Sequence, residues 1–165
     1  MLQTVTTNAM FDPALTFNTD AGFTLALSPD KKTFTATFGG LEVMINGTSA
    51  PPIVTRVFSF SIPLKNVEPG QEIPFFVQGI AQLENGSNAH LVFTVNEQST
   101  TAYLPPGSKD DDGALRDGFV HQMNYKATGA AEAKVTVFLL VNRDSKSGAG
   151  AYLNVSTIDT DITKH

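Results

Sequence analysis

The amino-acid sequence predicts an all-β fold, a single antiparallel β-sandwich over 1–165 with about eight to ten strands, jelly-roll or immunoglobulin-like, a closed barrel being the alternative. Three observations carry this. Apolar side chains recur at every second position in run after run, which sets them on one face of an extended strand. Turn signals built from Asn, Asp, Gly and Pro separate those runs at the spacing of a sandwich. No segment keeps a helical period beyond a turn or two, and no internal repeat is found.

The clearest run is 53–64, where Phe58, Phe60 and Ile62 alternate with Val57, Ser59 and Ser61. It reads as a central strand against which the others pack. Before it come a short candidate at 2–6, a turn at Asp12-Pro13, and a run at 22–27 with Phe23, Leu25 and Leu27 on one face. Ser28-Pro29-Asp30-Lys31 is a turn with proline at its second position. The run 32–38 follows with Phe34, Ala36 and Phe38 on one face, completing the clearest hairpin. Gly39-Gly40 permits a kink before 41–45, and the Asn46-Gly47 turn with Pro51-Pro52 makes a connection long enough to change sheets.

After 53–64, the turn at 66–71 leads to a strand over 73–83 with Pro74 near its start and Gly79 inside it, a position that often marks a bulge. Asn85-Gly86 then closes a second hairpin, and 89–95 points Leu91, Phe93 and Val95 inward with His90, Val92 and Thr94 outward. From 97 to 117 the alternation fails, and Leu104-Pro105-Pro106-Gly107 with the acids after it is read as a long irregular loop. A weaker strand or a short helix covers 119–126, aligning Phe119, His121, Met123 and Tyr125. The run 134–141 is the most apolar and reads as a strand covered on both sides at its far end. A polar turn at 142–150 precedes the last strand at 152–158.

Charged residues make up 16% of the chain and the formal net charge is −5. With no basic stripe, sequence-independent nucleic-acid binding, driven by neutralising phosphates, is not expected. No apolar run reaches the length of a membrane span, and no signal-peptide pattern opens the chain. Cysteine is absent, which removes disulfides, thiolate metal sites and thiol nucleophiles.

Asp110, Asp111 and Asp112, followed by Asp117, form the one dense acidic cluster. Calcium takes carboxylate and carbonyl oxygens from flexible loops, so Asp110, Asp112 and Asp117 are the candidate calcium ligands, with a solvated loop as the alternative. The spacing is not that of an EF-hand. His90 and His121 lack the sequence-adjacent partners of a metal pair. No nucleophile elbow, S-x-x-K or phosphate-cradling loop is present. Carboxylate pairs for glycoside hydrolysis could be drawn only from scattered residues, Glu42, Glu72, Glu84, Glu97 and Glu132. The chain is therefore read as not an enzyme.

Tyr103, Tyr125 and Tyr152 are candidate stacking platforms for sugars, although no tryptophan is present. Alternatively these tyrosines are partly buried with only the hydroxyl at the surface.

Leu-Ser-Pro-Asp-Lys-Lys-Thr-Phe-Thr-Ala-Thr-Phe at 27–38 and Tyr-Leu-Asn-Val-Ser-Thr-Ile-Asp at 152–159 are similar to the first and last strands of a family of small secreted β-rich proteins of unknown function. Members usually carry cysteines, which this chain lacks. The resemblance implies an extracytoplasmic sandwich, secreted or at the cell surface, and supplies no catalytic residues.

The first functional expectation is a non-catalytic structural or interaction module that forms a homo-oligomer or binds a protein partner through edges and loops. The alternative is a lectin-like carbohydrate-binding module, with or without calcium, whose glycan site is the 103–118 loop: Tyr103, Asp110, Asp111, Asp112 and Asp117. A calcium titration followed by melting temperature tests the metal. Coordination by the acidic loop raises Tm at millimolar calcium, and a solvated loop leaves it unchanged.

Overall fold

In a computed structural model the described residues are 9–11, 16–17, 22–47, 50–106, 118–144 and 148–163. The candidate strand at 2–6, the Asp12-Pro13 turn and the acidic residues Asp110, Asp111, Asp112 and Asp117 lie outside them. The strands are β1 (Met10–Phe11), β2 (Thr16–Phe17), β3 (Phe23–Leu27), β4 (Thr33–Phe38), β5 (Glu42–Ile45), β6 (Ile53–Lys65), β7 (Glu72–Leu83), β8 (Ser87–Val95), β9 (Gln98–Leu104), β10 (Gly118–Lys126), β11 (Glu132–Arg143) and β12 (Ala151–Asp161). Among the described residues no helix is long and apolar enough to cross a membrane.

The strands form two antiparallel six-stranded sheets. Sheet I runs β1-β6-β11-β8-β9 with β2 also on β6, and sheet II runs β10-β7-β12-β4-β3 with β5 also on β12. From β5 onward the chain passes from sheet to sheet, only β8 and β9 staying together. This winding sets β6-β11-β8-β9 against β10-β7-β12-β5, a jelly roll rather than an immunoglobulin-like order or a closed barrel.

Three expectations change. β6 is not central: β11 is, pairing with β6 on one side and β8 on the other. β1 and β2 pair with β6 only at 60–61 and 64–65, so over 53–59 β6 borders sheet I, and there Ile53 and Val57 are 56% and 58% exposed. The Asn85-Gly86 turn is tight, with the Ser87 amide donating to the Glu84 carbonyl at 3.0 Å. It nevertheless joins β7 of sheet II to β8 of sheet I and closes no hairpin. Finally, 98–104 is a strand, paired with β8 from Val95↔Gln98 to Ala89↔Leu104. Its Ser- and Thr-rich composition hid it, because an edge strand needs few apolar residues when only one face meets the core. The 119–126 segment is the strand β10, not a helix.

The β3–β4 hairpin forms as expected, Phe23↔Phe38 to Leu27↔Phe34. Its turn is held by Ser28, whose Oγ donates to Asp30 Oδ1 at 2.6 Å and accepts from the amides of Lys32 and Thr33. Along the side of the sandwich where β9 faces β10, the Gln98 side chain behaves like a strand. Its Nε2 donates to the Lys126 carbonyl at 2.7 Å, and its Oε1 accepts from the Lys126 amide at 2.9 Å. On the opposite side Arg56 reaches across to the carbonyls of Gly40 and Glu42.

The space between the sheets is filled by phenylalanine. Phe58 and Phe60 of sheet I meet Phe23 of sheet II at 5.4 and 5.1 Å between centroids, Phe58 meets Phe38 at 5.1 Å, and Phe75 of sheet II meets Phe93 of sheet I at 5.7 Å. Phe11 adds an edge-on contact to Phe34 at 4.9 Å. Each such pair contributes about 0.5–1.5 kcal/mol beyond its area. Gly79 meets the requirement the sequence suggested, with the irregularity on the partner strand: β12 shifts register between Val155 and Thr157. A Cβ at Gly79 would collide with the Asn154 carbonyl and come within 2.9 Å of the Phe119 ring.

Two stability predictions follow from this packing. Phe60→Ala removes a ring that is 2% exposed and should lower unfolding free energy by about 3–5 kcal/mol, a fall of about 10 °C in Tm. Gly79→Ala should cost about 3 kcal/mol, because the obstacle is backbone and cannot rotate away. Calorimetry checks both.

Candidate functional site

The outer faces of the two sheets differ in one respect that locates the site. On sheet II the outward polar groups bond to each other. Asp159 accepts from Thr35 Oγ1 at 2.6 Å and from Gln78 Nε2 at 3.0 Å. Tyr152 donates to Glu42 Oε2 at 2.7 Å and accepts from Asn154 Nδ2 at 3.2 Å. Burial first, and then the Glu42 carboxylate, raise the Tyr152 phenol above its ordinary value near 10.

On sheet I the outward groups are largely left to themselves. Register sets them in rows across the strands: Val57, Phe138, Val92 and Thr101 in one, and Thr55, Leu140, His90 and Tyr103 in the next. Asn142 and Asn88 face each other one row further on, beside Ile53. Neighbouring strands lie about 4.8 Å apart, so a row of four residues spans about 14 Å. Tyr103 is 56% exposed, and its ring tilts against His90 at 5.1 Å between centroids. Among the described residues no hydrogen bond reaches the Tyr103 hydroxyl or the His90 ring nitrogens, and Oδ1 of both Asn88 and Asn142 is enclosed with no partner. Enclosed acceptors without donors are costly. Thr94 and Ser99, by contrast, bond each other at 2.8 Å. No Asp, Glu, Lys or Arg stands in these three rows; Glu132 and Lys134 lie further along the same face of β11.

Local sequence explains the platform. β11 carries apolar residues on both faces, Val135, Val137, Leu139 and Val141 inward and Phe138 and Leu140 outward. The expectation that its far end is covered on both sides fails, since Phe138 and Leu140 are only partly buried. β8 alternates Ala89, Leu91 and Phe93 inward with Asn88, His90 and Val92 outward.

Of the residues singled out from sequence, Tyr103 lies on this platform. Asp110, Asp111, Asp112 and Asp117 fall outside the described residues. Tyr125 is not a platform: it is fully buried and its hydroxyl accepts from Asn96 Nδ2 at 2.7 Å. Tyr152 stands on sheet II. His90 and His121 do not form a pair, because His90 points out from sheet I while His121 points inward from β10 and meets Thr100 Oγ1 at 2.8 Å. Of the scattered acids, Glu42 bonds Tyr152, Glu84 bonds the Gly150 amide at 2.6 Å, and Glu97 and Glu132 line one open cleft with Lys134. Among the described residues no three His, Cys, Asp or Glu gather as metal ligands. Sequence reading passed over Asn88, Asn142, Phe138 and Leu140. The available signal was the doubly apolar run at 134–141, which announces an outward apolar face.

Burial lowers the His121 pKa below its ordinary 6.5. The unfolded chain then takes up that proton first as pH falls. Stability is therefore indifferent to His121 above about pH 6.5 and declines below it. His121→Gln should flatten the slope of denaturant-measured stability between about pH 6.5 and 5.

No protein-family model matches the chain, and no curated protein matches it. Among solved structures it is similar to TmCBM61 in complex with β-1,4-galactotriose, at 13% identity over 92% of this chain and 90% of that one, with a TM-score of 0.36. It is similar to CBM35 from Cellvibrio japonicus Abf62 at 12% identity, 92% and 90% coverage and a TM-score of 0.32. A Stig cyclase from Fischerella sp. TAU is similar at 8% identity, 96% and 91% coverage and a TM-score of 0.34.

Proposed function

We propose that this chain is a non-catalytic carbohydrate-binding module and that the glycan lies on the outer face of sheet I. One observation carries the reading: an open aromatic ring, Tyr103 against His90, sits in an uncharged apolar field, and neither its hydroxyl nor the His90 ring has a hydrogen bond among the described residues. A saccharide matches that combination. Its C–H face packs on the tyrosine ring, and its hydroxyls exchange hydrogen bonds with His90 and the Tyr103 hydroxyl. The site moves from the 103–118 loop to the strands, keeping Tyr103.

A second reading rests on the β6 border. Ile53 and Val57 are exposed there, and along 53–59 the strand pairs only with β11 among the described residues. An exposed apolar strand edge suits a protein partner or a second copy, through strand addition.

A glycan array followed by calorimetric titration of the bound sugar tests the first reading. Tyr103→Ala should weaken binding about tenfold or more and His90→Ala about three- to tenfold, corresponding to about 1.4 and about 1 kcal/mol. Both should leave Tm within a few degrees, since Tyr103 is largely exposed. An affinity indifferent to Tyr103→Ala removes the sheet I site. Sedimentation in which a dimer dissociates on Val57→Lys would favour the second reading.

A further inference from the structure

β9 ends sheet I on the side away from β6, and its outer rim is open. The two-residue turn Asn96-Glu97 closes the β8–β9 hairpin on the pair Val95↔Gln98. Main-chain bonding to β8 then falls on every second residue, Gln98, Thr100, Ala102 and Leu104. The amides and carbonyls of Ser99, Thr101 and Tyr103 point the other way, and among the described residues no strand pairs with them. The Thr101 hydroxyl has no partner there either.

The other strand edges carry devices that stop a sheet from growing. On β10 the Gln98 side chain fills the amide and the carbonyl of Lys126. On β5, Arg56 covers the carbonyl of Glu42. β1 and β2 take up part of the β6 edge and leave only 53–59. β3 is five residues long. β9 has no such device over 98–104, which holds no charge, no proline and no bulge in its register with β8.

Three open positions centred on Thr101 define what can pair there. A two-fold axis through Thr101, perpendicular to the sheet, sets Thr101 against Thr101 of a second copy and Ser99 against Tyr103. Each of these pairs exchanges two main-chain hydrogen bonds, because the same residues face outward in both strands. A small side chain meets a large one at Ser99 and Tyr103, Thr with Thr is a favourable cross-strand pair, and no charge is brought opposite a like charge. A different protein would have to supply a strand of this neutral pattern, whereas a second copy supplies it by symmetry. We propose that the chain forms a two-fold dimer through β9, which joins two copies of sheet I into one antiparallel sheet. One strand pair lies at the small end of specific interfaces, so the dimer is a weak one. The two outer faces fall on the same side, with the Tyr103 rings about 14 Å apart along the seam. That these rings then act as one bivalent glycan face rests on the reading of Tyr103 above, while the pairing does not.

Sedimentation velocity of the full chain without sugar, at concentrations up to about 1 mM, tests the pairing. The unaltered chain should pass from monomer to dimer as concentration rises. Thr101→Lys and Thr101→Glu each bring like charges together at the axis and should weaken the dimer about tenfold or more, and an equimolar mixture of the two variants should restore it. Thr101→Pro removes the central amide without touching a bond to β8, and should abolish the dimer while Tm moves by no more than a few degrees. Val57→Lys, at the β6 border, should leave the dimer intact. A monomer throughout the range, a dimer indifferent to Thr101→Pro or Thr101→Lys, or a mixture of the charged variants that stays monomeric would each overturn the assignment. With no sugar present, failure of the glycan reading leaves this result untouched.

Discussion

The interleaving of phenylalanine rings between the two sheets is the constraint on which the rest of this structure depends. Phe58 and Phe60 from one sheet close on Phe23 and Phe38 from the other, and Phe75 closes on Phe93. Large rings interlocked at native density leave each strand one register, because a slip by one residue would turn every ring to the outside. With register settled inside, the outward rows are settled too. Val57, Phe138 and Val92 share a row, and so do His90 and Tyr103, because Phe58, Val137, Leu91 and Phe93 are held inside.

The two outer faces are solved differently. Sheet II presents acids, amides and hydroxyls that satisfy each other, with Asp159 and Tyr152 as the hubs. Such a face has few unfilled hydrogen-bonding groups to offer a ligand. Sheet I presents apolar side chains on its middle strands, a half-exposed tyrosine, and amide oxygens enclosed without donors.

The jelly-roll winding also decides which residues have no say in the site. Tyr125 and His121 alternate with outward residues on β10 and so point into the sandwich, where Asn96 and Thr100 receive them. Two acids of the described turns fix local geometry: Glu84 accepts from the Gly150 amide, and Asp30 accepts from the Ser28 hydroxyl.

Period-two alternation was enough to establish from sequence that this is a two-layered antiparallel β protein. It also marked which side of most strands is buried, because that property is local: every second side chain faces the same way whatever the partner. Sequence also picked out the turn chemistry at Ser28 and the need for glycine at 79. Partner choice is not local. Whether Asn85-Gly86 closes a hairpin or passes from one sheet to the other depends on which strands claim β7 and β8, and β10, β12, β9 and β11 claim them. The strand β9 was hidden because its stability comes from the ladder to β8 rather than from its own composition. Only the tertiary structure could bring Asn88 opposite Asn142 and His90 beside Tyr103, since cross-strand register joins residues far apart in the chain.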